Sequence, residues 1–123
     1  MRYKGRLVAR GDTQSEDSYS ETFAPTARWS TVRAFAALAN QHEMEMRQLD
    51  VVSAFLQPEL PSNERVFIEV PDGVEGIPPG CVLELKKTLY GLKQSAKRWH
   101  DLLHARLTSL GFVPSFADPC LYI

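Results

Sequence analysis

Apolar side chains recur at helical spacing in two stretches of the chain. Val32, Phe35, Ala36, Leu38 and Ala39 fall on one face of a 3.6-residue period. Ser30 just before them is a good N-cap. The pattern predicts a helix from Thr31 to about His42, with its apolar face packed on a sheet. Trp99, Leu102, Leu103, Arg106, Leu107 and Leu110 mark a second stripe, and Gly111 is a natural C-cap. This predicts a helix from Leu92 to Leu110.

The remaining segments alternate or break. Residues 2–10 read as a strand or ribbon with basic flanks, ended by Gly11, and residues 12–29 as a long polar surface loop. Met44, Met46 and Gln48 alternate with Glu45, Arg47 and Leu49, which predicts a strand ending near Asp50. Pro58 and Pro61 then impose a turn. Val66, Phe67, Ile68 and Val70 read as a strand, PDGVEGIPPG as a loop, and CVLELKK as another short strand. Pro119 to Ile123 starts an apolar strand where the sequence stops. The expected class is α+β, with short strands interleaved with two amphipathic helices. Domains normally end at exposed polar positions, so an ending inside an apolar run suggests truncation.

Composition narrows the function classes. The 123 residues suggest one domain or part of one, and a hydrophobic fraction of 44% allows a core. A free domain of this size buries roughly two-thirds of its unfolded surface, whereas a fragment leaves apolar surface bare. The net charge of -1, from 14 basic and 15 acidic residues, is not that of a strongly basic nucleic-acid binder. Any such function must come from local patches. Basic residues cluster in the first ten positions and again from Lys86 to Arg98, and acidic residues gather between Asp12 and Glu21. Cys81 and Cys120 lack metal-ligand spacing and read as two small buried or half-buried thiols. There is no signal-peptide pattern, and nothing approaches the roughly 20 apolar residues of a membrane span. A soluble intracellular protein is expected.

Candidate chemistry starts at Asp50, in QLDVVSAFLQ. A lone Asp at a strand end is more often a turn or cap residue, and spacing alone does not make it catalytic. In LYGLKQSAKRW, Lys93 and Lys97 are four residues apart and share a helical face. With Lys86, Lys87 and Arg98 they form a local basic patch that suits phosphate contacts without sequence choice. A solvated helix face is the plainer reading of the same residues. His100 and His104 have the i, i+4 spacing of a zinc helix. Asp101 stands where such helices carry Glu, and no third ligand is evident, so two polar groups on the outer helix face are the better reading. No Ser/His/Asp constellation or phosphate-binding glycine loop appears.

Six segments together resemble the reverse transcriptase domain of copia-type retrotransposons: YKGRLVARGDTQ, YSETFAPTARWSTVRAFAALA, MRQLDVVSAFLQPEL, VFIEVPDG, LKKTLYGLKQSAKRWHDLL and LGFVPSFADPCLYI. They occur in the family's order and cover nearly the whole chain, residues 1–123. LYGLKQ beside a Trp-containing helix, and ADPCLYI, are its distinctive parts. The resemblance implies part of a right-hand polymerase, fingers and the first part of the palm. Its reaction is RNA-templated DNA synthesis, a nucleotidyl transfer using two magnesium ions. The partners implied are an RNA/DNA template-primer and deoxynucleoside triphosphates, and the compartment is the cytoplasm.

Carried over residue by residue, Asp50 matches the first catalytic, metal-binding carboxylate, and Val51 offers its backbone carbonyl to a metal. Phe55 matches the aromatic gate beneath the incoming sugar, with Ser53 and Ala54 beside it. A core aromatic is the alternative for Phe55, and both hold if the gate ring is packed. Tyr90, Gly91 and Gln94 match the nucleotide pocket, with Gly91 permitting close backbone approach. Arg6 matches a triphosphate contact, while Lys4 and Arg10 with Lys93, Lys97 and Arg98 match nucleic-acid contacts. Which of Lys4, Arg6 and Arg10 touches the triphosphate stays open, and a charged edge strand that resists aggregation is the competing reading. The pattern departs from the family's at Ala96, where Pro is usual, and this bears on the helix start and on Gln94 and Ser95.

The family supplies further carboxylates from an adjacent Asp pair beyond ADPCLYI, and this sequence has no Asp-Asp pair. Three expectations follow. The chain is a fragment inactive by itself, one part of a longer working enzyme, or a co-opted, non-catalytic RNA- or DNA-binding module.

Overall fold

The computed structural model describes residues 5–123, and it is α+β. Helix α1 spans Trp29–Gln41, strand β1 Phe67–Glu69, strand β2 Val82–Glu84, and helix α2 Ser95–Ser109. Single 3-10 turns lie at Gly11–Thr13, Glu16–Ser18 and Ala54–Leu56. The chain divides into two compact units, residues 5–23 with 53–99, and residues 24–52 with 100–123.

The first unit is built on a hairpin. β1 and β2 pair antiparallel, with Phe67 opposite Glu84, Ile68 opposite Leu83 and Glu69 opposite Val82. Ile68 and Leu83 form the half-buried face, while Phe67 and Val82 face water. Pairing continues past the strands. The Leu85 amide donates to the Val66 carbonyl at 2.9 Å, Leu60 to Lys86 at 3.0 Å, and Thr88 to Pro58 at 3.0 Å. Val66 and Leu92 are buried in this unit. Both strands are shorter than the apolar runs that predicted them, because the Gly/Pro-rich loop between them cannot continue a ladder.

The basic segment at the start of the chain does not form the expected strand. Residues 5–10 carry no regular secondary structure, and residues 2–4 lie outside the described residues. Among its described residues, a ladder-like backbone bond runs from the Ala9 amide to the Tyr90 carbonyl at 2.7 Å.

In the second unit α1 begins two residues earlier than expected, and Ser30 is not its cap. The N-cap is Arg28, whose side chain makes no capping bond. The cap comes from 90 residues away. Asp118 is 1% exposed, and its carboxylate accepts from the Arg28 amide at 2.9 Å and from the Cys120 amide at 2.9 Å. A carboxylate placed there satisfies an orphan donor and the positive end of the helix dipole. Both helices end in Schellman motifs. In α1 the Met44 amide reaches the Ala39 carbonyl at 2.8 Å and the Glu43 amide reaches Asn40 at 3.3 Å, with Glu43 itself at φ 51°. In α2 the Phe112 amide reaches Leu107 at 3.1 Å and the Gly111 amide reaches Thr108 at 3.0 Å, with Gly111 at φ 95°.

Two expectations fail here. The alternating segment from Met44 to Asp50 is not a strand, and α1 does not lay its apolar face on a sheet. Met44, Met46 and Leu49 are 59%, 58% and 92% exposed, and Val32, Phe35 and Leu38 are about half exposed. Alternation creates a face but not a partner, and a strand exists only where another backbone accepts its amides. Among the described residues of this unit only Ala39 is a buried apolar side chain. Residues 119–123 likewise form one bridge, Pro114 with Tyr122, rather than a strand. Among the described residues no helix is long and apolar enough to cross a membrane.

Two outcomes follow. Glu43 holds a left-handed conformation that costs a side-chain-bearing residue about 1 kcal/mol, so Glu43→Gly raises the thermal midpoint in a melt followed by circular dichroism, and an unchanged or lower midpoint contradicts the strain. The Asp118 carboxyl is held below the ordinary carboxylate range by the Thr31 hydroxyl first, then by the Arg28 and Cys120 amides. A depressed carboxylate stabilises the fold above its unfolded pKa of about 3.9, and that stability is lost as pH falls through the lower folded value. Wild-type stability therefore drops below about pH 4, and Asp118→Asn is less stable at neutral pH with a flatter acid limb in urea titrations.

Candidate functional site

Residues 5–11 lie across residues 90–93, and glycine on both sides makes this possible. A Cβ on Gly91, which sits at φ 92°, would come within 2.1 Å of the Ala9 carbonyl oxygen and 2.8 Å of Val8 Cγ1. A Cβ on Gly11 would come within 2.0 Å of the Gly91 carbonyl oxygen. The close approach anticipated at Gly91 is thus made by the chain's own backbone.

This crossing assembles a cluster. The Arg6 guanidinium lies over the Tyr90 ring at 5.7 Å, and Phe55 meets Tyr90 edge-on at 5.6 Å and 74°. Arg6, Phe55 and the adjacent Tyr90 and Gly91, three segments far apart in sequence, therefore converge. Phe55 is held from behind, because the buried Thr88 hydroxyl donates to its carbonyl at 2.6 Å. Ser53, just before the Ala54–Leu56 turn, adopts a left-handed conformation at φ 54°, unusual without glycine. Strain of this kind persists where surrounding structure imposes it.

The other expected residues of this unit are engaged. Gln94 is fully buried; its amide group donates to the Ser18 carbonyl at 3.2 Å, and its oxygen accepts from Gln14 at 2.9 Å. Lys93 lies over the Tyr19 ring at 5.0 Å and donates to its hydroxyl at 3.2 Å. Lys97 pairs with Glu21 at 3.6 Å, and Arg10 with Asp12 at 2.7 Å. Lys86 and Arg65 share Glu84, at 2.5 and 2.8 Å. Lys4 lies outside the described residues.

Arg98 turns to a residue that the sequence did not single out. Its guanidinium makes a two-pronged contact with Glu64, Nε to Oε2 at 3.2 Å and Nη2 to Oε1, and Glu64 is 2% exposed. Glu64 also accepts from the Ser20 hydroxyl at 2.6 Å and the Ser20 amide at 3.2 Å. Burial by itself raises this carboxyl, but the Arg98 and Ser20 bonds outweigh it and hold Glu64 below the ordinary carboxylate range. Nothing in PSNERVF marks Glu64 as buried. Asp118 had a weak local signal, since Asp-Pro favours an Asx turn, and the Cys120 amide makes that bond.

In the second unit Asp50, Val51 and Leu49 are exposed. His104 accepts from or donates to the Tyr122 hydroxyl at 2.9 Å, and its ring stacks on His100 at 6.3 Å and 12°. Among the described residues no group of three or more His, Cys, Asp or Glu side chains converges to hold a metal. Cys120 is half-buried as expected, whereas Cys81 is exposed, and both are free.

A family profile described as reverse transcriptase (RNA-dependent DNA polymerase) matches residues 1–123, and the chain belongs to that family. It is 35% identical over 99% of its length to a retrovirus-related Pol polyprotein from transposon TNT 1-94 of Nicotiana tabacum, of which it covers 9%. It is 39% identical, again over 99% of its length, to the retrovirus-related Pol polyproteins from transposons RE2 and RE1 of Arabidopsis thaliana, covering 8% of each. The chain thus spans less than a tenth of these relatives' length. No solved structure matches it.

The crossing makes Gly91 testable. Gly91→Ala drives a methyl group into the Ala9 carbonyl, so the Ala9 amide loses its bond to Tyr90 and exchanges faster. Hydrogen-exchange mass spectrometry of residues 5–11 should show at least tenfold lost protection, and unchanged protection contradicts the crossing.

Proposed function

We propose that this chain is the fingers and first palm portion of a copia-type retrotransposon reverse transcriptase, and that its first unit carries one wall of the deoxynucleotide pocket. The observation that supports this most is the convergence of Arg6, Phe55, Tyr90 and Gly91. A guanidinium beside an aromatic pair suits a nucleoside triphosphate: the fork binds phosphate oxygens and the rings pack against base or sugar. Phe55, backed by Thr88, is the ring that excludes a ribose 2′-hydroxyl, and the strained Ser53 with Ala54 sets its direction. Gln94 completes the pocket once exposed. Arg6, Arg10, Lys4, Lys93, Lys97 and Arg98 belong to the phosphate-contacting surface, with Arg98 committed to Glu64 in this conformation.

Asp50 and the Val51 carbonyl are the chain's contribution to a magnesium site whose other carboxylates lie outside the described residues. One carboxylate does not hold two magnesium ions, so the chain alone binds template-primer but does not extend it. The co-opted binding module predicts the same binding without any polymerising context.

Binding to a fluorescein-labelled RNA–DNA primer-template, followed by anisotropy, should weaken steeply with salt. Lys93→Ala combined with Lys97→Ala should flatten the log-log salt slope by about 2. In a magnesium-dependent primer-extension assay the chain should incorporate no more than its Asp50→Ala variant. Incorporation above that control sinks the inactivity, and a salt-insensitive affinity sinks the nucleic-acid reading.

A further inference from the structure

The segment from Gln14 to Glu21 lies on the basic start of α2, within the first unit. It touches Lys93, Gln94 and Lys97, and it reaches Arg98 only through Glu64. Gln14 and Ser18 both bond the fully buried Gln94. Gln14 also accepts the Lys93 amide at 3.1 Å. Tyr19 presents both its ring and its hydroxyl to the Lys93 ammonium. Glu21 faces Lys97 at 3.6 Å. Ser20 bonds the same Glu64 that holds Arg98. Four carboxylates and no Lys or Arg fall between Asp12 and Glu21.

We infer that residues 14–21 are an autoinhibitory strap, which occupies the basic surface of Lys93, Gln94 and Lys97 and must lift before nucleic acid or nucleotide reaches it. This rests on the nucleic-acid reading above. The strap has one fixed point and releasable contacts on either side of it. The fixed point is Ser20 on the buried Glu64–Arg98 pair, whose separation leaves a desolvated charge without a partner. The releasable contacts are those of Tyr19 and Glu21. Glu21 is 73% exposed, and an exposed ion pair is weak enough for a phosphate to displace. A masked site loses apparent affinity in proportion to the fraction of molecules in which it is open.

The test uses the whole chain and the labelled RNA–DNA primer-template. Glu21→Gln removes the carboxylate facing Lys97 without disturbing buried structure. Glu16→Gln makes the same net-charge change in the same segment, at an exposed residue with no part in the patch. Without the Glu21 carboxylate, Lys97 reaches a phosphate without first breaking that pair, while the number of phosphate contacts in the complex stays the same. Relative to Glu16→Gln, Glu21→Gln should therefore bind roughly threefold tighter at low salt with the log-log salt slope unchanged. Tyr19→Ala should act in the same direction through Lys93. If Glu21→Gln equals Glu16→Gln or binds more weakly while the Lys93→Ala, Lys97→Ala double variant still lowers affinity, the patch binds nucleic acid and the strap is wrong. If the double variant leaves affinity unchanged, or no form binds, the nucleic-acid reading fails and the strap falls with it.

Discussion

The first unit depends on the Glu64–Arg98 pair more than on any apolar cluster. Pro58, Val66 and Leu92 are the buried apolar side chains there among the described residues, while Glu64, Thr88, Gln94 and Ser95 are all buried and polar. A guanidinium fork against a carboxylate that is 2% exposed joins the hairpin's approach segment to the first turns of α2, and Ser20 brings a third segment to the same oxygens. Polar groups hidden to this degree are costly unless every partner is present. The pair therefore fixes geometry through the penalty for breaking it, and weak hydrophobic burial around it makes that penalty matter more.

Polar burial of this kind positions the candidate site. Thr88 holds the Phe55 backbone, Ser95 donates to the Leu89 carbonyl at 2.6 Å, and the Ala9 amide reaches the Tyr90 carbonyl at 2.7 Å. Each bond ties a residue beside the Arg6, Phe55 and Tyr90 cluster to another part of the chain. Gly11 and Gly91 remove the side chains that would hold the crossing backbones apart. The cluster is thus a consequence of backbone approach, with the aromatic and guanidinium groups brought together by it. The second unit uses the same device once, where the buried Asp118 carboxylate closes the open end of α1.

Membership of the reverse transcriptase family gives these contacts a chemical meaning without assigning the activity of a whole polyprotein to a chain that covers less than a tenth of its relatives. The proposed nucleotide wall rests on the Arg6 guanidinium and the Phe55 and Tyr90 rings that the first unit brings together. A pair of hard cations needs several converging carboxylates, and Asp50 offers one. The basic groups at the start of α2 are meanwhile spent on Tyr19, Glu21 and Glu64.

Local pattern determined the two helices, the C-cap at Gly111, the hairpin strands and the family itself. Those features depend on residues close in sequence: a 3.6-residue period, a glycine free to take positive φ, a turn rich in Gly and Pro, and contiguous motifs. Alternation at Met44 to Leu49 was equally legible, yet no strand forms, because pairing depends on a second backbone that the pattern does not name. Tertiary structure alone decided that Asp118 rather than Ser30 serves the start of α1, that Glu64 captures Arg98, and that Gln94 is sealed by Gln14 and Ser18. These choices match a buried donor to a buried acceptor across long stretches of chain. Sequence shows which groups can bond, and only the fold sets which are brought within about 3 Å of each other and removed from water.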